Sequence, residues 1–189
     1  MLMRLPYKYT LAFFVLLSIC HQPMAQDKQA FVTLNGSIHF SSDAPQELIK
    51  ADSKDLKGAI DAAGKTFSFK VQINTFVGFN SGLQQTHFNE NYLESAKYPE
   101  ASFKGKIIED IDFKKDGRYE IRAKGILNIH GVAMERIIKS ELIIRQGKMY
   151  IQSAFTVMLP DHNIPIPRIV KDKLAQEIKV EIKATLEPR

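Results

Sequence analysis

The run YEIRAKGILNIH, residues 119–130, alternates with a period of two. Tyr119, Ile121, Ala123, Gly125, Leu127 and Ile129 fall on one face, with Glu120, Arg122, Lys124 and Asn128 opposite and Ile126 as the single apolar intruder. Successive strand side chains point to opposite faces, so this pattern predicts a long strand with one buried side. Shorter copies occur on both sides of it. Phe67, Phe69, Val71 and Ile73 share a face in 66–74; Ile151, Ser153, Phe155, Val157 and Leu159 repeat the theme less cleanly; Ile178, Val180, Ile182, Ala184 and Leu186 alternate without a fault.

Turn signals separate these runs at hairpin distances. Asn35-Gly36, between Phe31–Leu34 and Ser37–Ser42, is the strongest short hairpin signal, because both residues tolerate positive φ. Gly64-Lys65, Asp116-Gly117, Gly131 and Gly147-Lys148 do similar work. The count comes to about eight to ten strands on short connections, which predicts an antiparallel meander. Closing such a meander into a barrel covers its oily face and removes its edges. The expected fold is therefore all-β: an antiparallel barrel of about eight strands with one or two short helices. An outer-membrane barrel shares the period but turns its apolar face outward. The mixed Lys and Glu on the polar faces, the absence of tryptophan and the polar ending Glu187-Pro188-Arg189 argue against that version.

The N-terminus predicts where the protein works. Arg4 and Lys8 precede an apolar run from Leu11 to Cys20 and a polar stretch ending at Ala25, the layout of a secretory signal peptide over residues 1–25. The apolar run is too short to span a bilayer. Lipidation at Cys20 is the alternative, and bulky Ile19 argues against it. Removal of 25 of the 189 residues leaves 164, residues 26–189, enough for one domain with a sizeable core. That chain has no cysteine, so its core must hold it together without disulfides. Its formal charge falls from +5 to +3, because the leader takes two basic residues and no acidic one. The bases are scattered among acids, which argues against a nucleic-acid partner. The expected location is outside the cytoplasm, periplasmic or secreted.

One stretch breaks the alternation. In HFNENYLESAKYPEASFKG, residues 87–105, Thr86 is placed to cap a short helix, with Glu90 and Glu94 near its first turns. Phe88, Tyr92 and Leu93 give that helix an apolar side, and Pro99 forces Tyr98 to be extended, ending it. Ala101, Phe103 and Ile107 then resume a strand. The interruption reads as a helical flap against one barrel end.

These residues carry a resemblance. His87-Phe88, Tyr92-Leu93, Lys97-Tyr98-Pro99 and Ala101-Ser102-Phe103-Lys104, followed by Gly125-Ile126-Leu127-Asn128-Ile129-His130-Gly131-Val132, resemble the two signature segments of the YceI-like family, which are exported, lipocalin-like, polyisoprenoid-binding proteins. The likeness in order and pattern runs from about Phe31 to Leu186, departing at Asn128 and Ala133, where the family often has Thr. It implies a lipocalin-like barrel and a long apolar lipid as partner, such as a polyprenyl chain or a quinone tail. The apolar faces then supply candidate lining: Phe67, Phe69, Val71, Ile73, Phe103, Tyr119, Ile121, Leu127, Ile129 and Phe155, with Phe88 and Tyr92 closing one end. Lys97 and Lys104 are candidates to meet a head group, against a plainer reading as surface lysines.

Catalytic and metal chemistry find little purchase. His87 and His130 lack a compact set of further ligands, and structural roles suit them better: His130 beside the Gly131 turn, His87 anchoring the helix through hydrogen bonds. There is no Gly-x-Ser-x-Gly elbow, no cysteine nucleophile after Ala25 and no Gly-rich phosphate loop, while Asp110 and Asp112 read as a solvated strand end. No catalytic residue, metal or cofactor is expected, and the chain reads as a non-enzyme. In Leu159–Leu174, Pro160, Pro165 and Pro167 keep the first half out of any ladder, Pro167 is placed to start a short helix, and Ile164 and Ile166 are expected to be exposed, with a mouth-lining role or none. Two alternatives stand beside a lipid binder. One is a filled barrel serving protein interaction or envelope stress; the other is a lipid-acting hydrolase or isomerase using His87 or His130.

Overall fold

The computed structural model describes residues 30–189, so the proposed leader and Cys20 lie outside the described residues. Eight strands follow one another as a meander: β1 Ala30–Asp43, β2 Leu48–Asp61, β3 Thr66–Gln72, β4 Glu100–Ile107, β5 Gly117–Ile129, β6 Val132–Arg145, β7 Lys148–Met158 and β8 Glu177–Pro188. Each pairs with the next, and β8 pairs back onto β1 to close a barrel. β5 pairs along its whole length with β6, from Gly117 opposite Ile144 to Ile129 opposite Val132.

The joining turns follow from local backbone demands. His130 and Gly131 both take positive φ, 52° and 73°, which suits the two-residue hairpin between β5 and β6. Gln146 and Gly147 repeat it between β6 and β7 at 52° and 72°. The latter turn is thus Gln146-Gly147, one residue earlier than the sequence suggested, and Lys148 opens β7.

Asn35-Gly36 is the main correction. β1 runs straight through this pair, neither residue has positive φ, and the register against β2 jumps between Thr33 and Gly36 and again before Ile38. The pair makes a bulge, not a hairpin. A Cβ on Gly36 would lie 3.1 Å from the Ala184 Cβ and 3.2 Å from the Leu56 Cδ2, so glycine serves close packing here. The actual β1–β2 connection is residues 44–47.

Ion pairs cross the outer surface. Lys124 meets Glu135 at 3.3 Å, Lys70 meets Glu100 at 3.2 Å and Arg122 meets Glu109 at 2.7 Å. Pairs this exposed add little stability. They do show that the polar faces point outward and the apolar faces inward, the reverse of a transmembrane barrel. Among the described residues no helix is long and apolar enough to cross a membrane.

The barrel is filled at one end only. Phe31, Ile60, Leu142, Met149 and Leu186 are at most 2% exposed and pack together, with Phe113 plugging from the connection between β4 and β5. Tyr119 belongs to this floor, and its hydroxyl donates to the Lys115 carbonyl oxygen at 3.0 Å.

Candidate functional site

Above the floor the inward faces enclose a cavity of about 520 Å³, within the usual range for a small-molecule site. Ile38, Phe67, Phe69, Val71, Phe103, Ile121, Leu127, Ile129, Phe155, Val157, Val180 and Ile182 contribute to its wall. Phe67 and Phe103 sit with ring centroids 4.9 Å apart. The Phe69 ring occupies the space beside Gly58, where a Cβ would come within 2.1 Å of it, so that glycine makes room for the aromatic wall. The wall's one hydrogen-bonded hydroxyl pair is Ser140 and Ser153, whose Oγ atoms are 3.0 Å apart. They form the last rung of the β6–β7 ladder, beyond which the strands part and Arg136 reaches across to donate to the Thr156 carbonyl oxygen at 2.9 Å.

A flap covers part of the open end. β3 stops at Gln72, and Ile73–Thr75 forms a 3-10 turn, so Ile73 lines the cavity from this turn instead of from the strand. Helix α1, Gly82–His87, follows and widens into a π turn over Phe88–Tyr92. Its cap is Ser81, whose hydroxyl accepts from the Gln84 N–H; the expected cap, Thr86, lies inside the helix and donates back to the Gly82 carbonyl. Phe88 stacks on Phe40 at 5.3 Å and packs against Phe76 and Phe79 at 5.6 and 5.1 Å. Tyr92 completes this side of the opening, and burial raises its hydroxyl above the usual tyrosine pKa.

The flap ends at Glu94, which takes φ 43° and accepts the Lys97 and Tyr98 N–H groups on its carbonyl. Its carboxylate bonds to His130 Nε2 at 2.6 Å, and His130 Nδ1 faces the His162 carbonyl oxygen at 3.1 Å. The Tyr98 ring meets His130 edge-on at 4.6 Å and lies against Gly131. The opposite rim is the connection from β7 to β8. It begins with a 3-10 turn, Leu159–His162, and after Pro167, where the sequence suggested the start of a short helix, it has only another such turn, Arg168–Val170. Ile164 is 2% exposed and lines the cavity, contrary to its expected exposure, because it packs with Ile73, Leu93 and Leu159. Ile166 packs against the same cluster without lining the cavity.

The structure therefore gathers eleven of the twelve candidate lining residues around one cavity and leaves Tyr119 below it in the floor. His87 sits at the mouth, and its ring makes no hydrogen bond among the described residues, so the helix is held by the Phe88 cluster instead. Lys97 stands over the Tyr98 ring at 4.8 Å and Lys104 points from the outer face of β4; neither lines the cavity. Asp110 pairs with Lys65 at 3.1 Å, while Asp112 accepts the Lys114 N–H. Among the described residues no group of three or more His, Cys, Asp or Glu is placed to hold a metal ion. Phe40, Phe76 and Phe79 were not among the candidates. Phe40 continues the alternation Ile38-Phe40-Ser42 and was readable from it, whereas Phe76 and Phe79 lie in an aperiodic loop.

This geometry, an apolar barrel chamber whose flap, carrying the first signature segment, is held against the second at the β5–β6 turn, agrees with comparison to known proteins. Residues 21–186 match the YceI-like domain model. The chain belongs to the YceI-like family. Its fold is similar to a polyisoprenoid binding domain from Saccharophagus degradans implicated in plant cell wall breakdown, with a TM-score of 0.70 at 13% identity over 86% of this chain and 99% of that one. BcnA of Burkholderia cenocepacia superposes with a TM-score of 0.65 at 11% identity, covering 79% and 95% of the two chains. A YCEI protein of Campylobacter jejuni gives 0.52 at 18% identity, covering 69% and 77%. At these identities the likeness is one of fold. No curated protein matches the chain.

Proposed function

We propose that this YceI-like protein is an exported, non-catalytic binder or carrier of an apolar lipid of the isoprenoid class, a polyprenyl chain or a quinone tail, working in the periplasm or after secretion. The observation that carries this reading is the unfilled upper half of the barrel: about 520 Å³ walled by Phe, Ile, Leu and Val side chains over a floor that is itself close-packed. A protein of this size gains stability by filling its core, so an apolar hollow of this size suits a ligand. Burial at about 25 cal/mol per Å² makes a long hydrocarbon chain a worthwhile ligand even after ordering costs. The polyisoprenoid-binding neighbour of similar fold supports the same class. Phe67, Phe69, Val71, Ile73, Phe88, Tyr92, Phe103, Ile121, Leu127, Ile129 and Phe155 are the proposed ligand contacts.

Organic extraction of protein purified from its native compartment, followed by mass spectrometry, tests the proposal. A stoichiometric prenyl lipid is expected. Lipid-free protein that also refuses prenyl lipids offered in detergent would sink it and favour a protein-interaction module.

A further inference from the structure

We propose that the rim of the cavity is a membrane-docking surface, which seats the open end on an anionic phospholipid bilayer so that cargo passes without crossing water. The inference rests on the carrier reading for its purpose, and on separate observations for its location. Three elements meet at the rim, and each offers an exposed apolar side chain: Leu48 at the start of β2 is 44% exposed, Leu83 in α1 65%, and Ile169 in the turn Arg168–Val170 91%. They are tied together through residues 44–47 and their neighbours. Asn80 Nδ2 donates to the Leu48 carbonyl at 3.0 Å, the Gln84 amide bonds the Glu47 carboxylate, and the Gln46 N–H donates to the Asp172 carbonyl at 2.9 Å.

The patch is continuous with the cavity, since Leu83, Val170, Lys173 and Leu174 line its mouth. Charge selects the partner. Arg168, Lys171 and Lys173 surround Ile169 and face one carboxylate in that segment, Asp172. None of the three cations is ion-paired among the described residues. An exposed isoleucine among free cations is poorly placed in water and well placed at a bilayer interface, where the side chain enters the acyl boundary and the cations meet lipid phosphates. A lipid with negligible aqueous solubility must leave its membrane at the point where the cavity opens, and this is that point.

Flotation with vesicles tests the proposal, using phosphatidylglycerol mixed with phosphatidylcholine, or phosphatidylcholine alone, at low and high salt. Wild-type protein should float with the anionic vesicles at low salt and lose most of that binding at high salt. Ile169→Asp should weaken binding by about tenfold or more. Arg168→Glu with Lys171→Glu should weaken it by at least about 25-fold, roughly fivefold for each cation lost near an anionic surface. Leu34→Asp is the control, because Leu34 is 71% exposed near the closed end and should leave flotation unchanged. Loading of a fluorescent polyprenyl alcohol from detergent is measured on every variant. Loaded protein that does not float, or that floats equally with all variants or only with Leu34→Asp impaired, overturns the docking surface and leaves the carrier reading standing. Rim-dependent flotation by protein that takes no prenyl lipid supports the docking surface and removes the carrier reading.

Discussion

His130 Nε2 lies 2.6 Å from the Glu94 carboxylate, while Nδ1 of the same ring faces the His162 carbonyl oxygen at 3.1 Å. One side chain thus joins three elements that the chain order keeps apart: the end of the flap, the β5–β6 turn and the β7–β8 connection. Both partners present oxygen atoms to the ring, one from a carboxylate and one from a backbone carbonyl. The arrangement explains why the two signature segments lie some thirty residues apart in sequence yet meet in space, |i−j| being 36 for the Glu94–His130 contact. Tyr98 of the first segment covers Gly131 of the second, and the contact fixes how the flap sits over the mouth.

His130→Ala is expected to cost about 2 kcal/mol, because it removes two hydrogen bonds, one to a charged group, from a site only 9% exposed. Glu94→Gln should cost less, since its side chain is 43% exposed and water replaces part of what is lost. Urea unfolding gives both values. Hydrogen exchange should show the loosening concentrated in residues 88–98, and uniform loosening of the barrel would contradict the latch.

Gly131→Ala and Gly147→Ala form a matched pair, because both glycines close two-residue hairpins at nearly equal φ, 73° and 72°. A Cβ on Gly147 meets nothing within 4 Å, so its cost is the left-handed backbone alone, about 1 kcal/mol. A Cβ on Gly131 comes within 2.5 Å of the Tyr98 ring, so the flap must shift as well, and a total of about 3 kcal/mol is expected. Equal losses in urea unfolding would show that Tyr98 is not held against the turn.

Acid should weaken the rim through His162, which is fully buried. Burial lowers its pKa below the usual 6.5, and backbone groups of Val132 and Ile129 oppose the shift without well-aligned hydrogen bonds to either ring nitrogen. In the window between the lowered folded value and the unfolded value the unfolded chain binds more protons. Stability from the neutral ring is therefore fully present above about pH 6.5 and is lost as pH falls through the folded value. Unfolding midpoints measured from neutral pH down to mildly acid pH should fall, and His162→Leu should flatten that fall. An unchanged slope in His162→Leu would assign the acid sensitivity to other groups.

Legibility of the fold varied with the kind of signal. The period of two is long in β5, where Ile126 alone breaks it, and faultless in β8, so strand and face follow from it, and the short connections give the antiparallel pairing. Asn35-Gly36 misled because a bulge and a hairpin both favour small, turn-prone residues, and only the partners across the sheet, Leu56 and Ala184, decide between them. Ser81 is hard to read as the cap because the apolar side of the helix begins later, at Phe88, and Leu83, the one apolar side chain of the first turn, is exposed. Tyr119 shares the inward face of β5 with the cavity residues, yet lies at the floor; alternation gives the face and not the height along the barrel. Ile164 was misplaced for a related reason, since an aperiodic segment carries no pattern that says which side chain turns inward.

The division between filled floor and open chamber gives the sharpest test of function. Leu142 is fully buried among floor residues and does not line the cavity, so Leu142→Ala leaves a void and should cost about 2 to 5 kcal/mol with or without lipid. Phe155 is half-buried on the cavity wall, and one side of its ring already faces open space, so Phe155→Ala should cost the delipidated barrel distinctly less. Bound lipid stabilises the folded state by RT ln(1 + [L]/Kd), and removing the Phe155 ring should shrink that increment by weakening Kd. Leu142→Ala should leave the increment nearly intact, because the floor supports the chamber without touching its contents. The measurement is denaturant unfolding of wild type and both variants, each delipidated and then reloaded with a polyprenyl alcohol. A wild-type barrel with no lipid increment, and a Phe155→Ala loss as large as that of Leu142→Ala, would mean the upper half is closed in solution, and an interaction module would then be the better account of this fold.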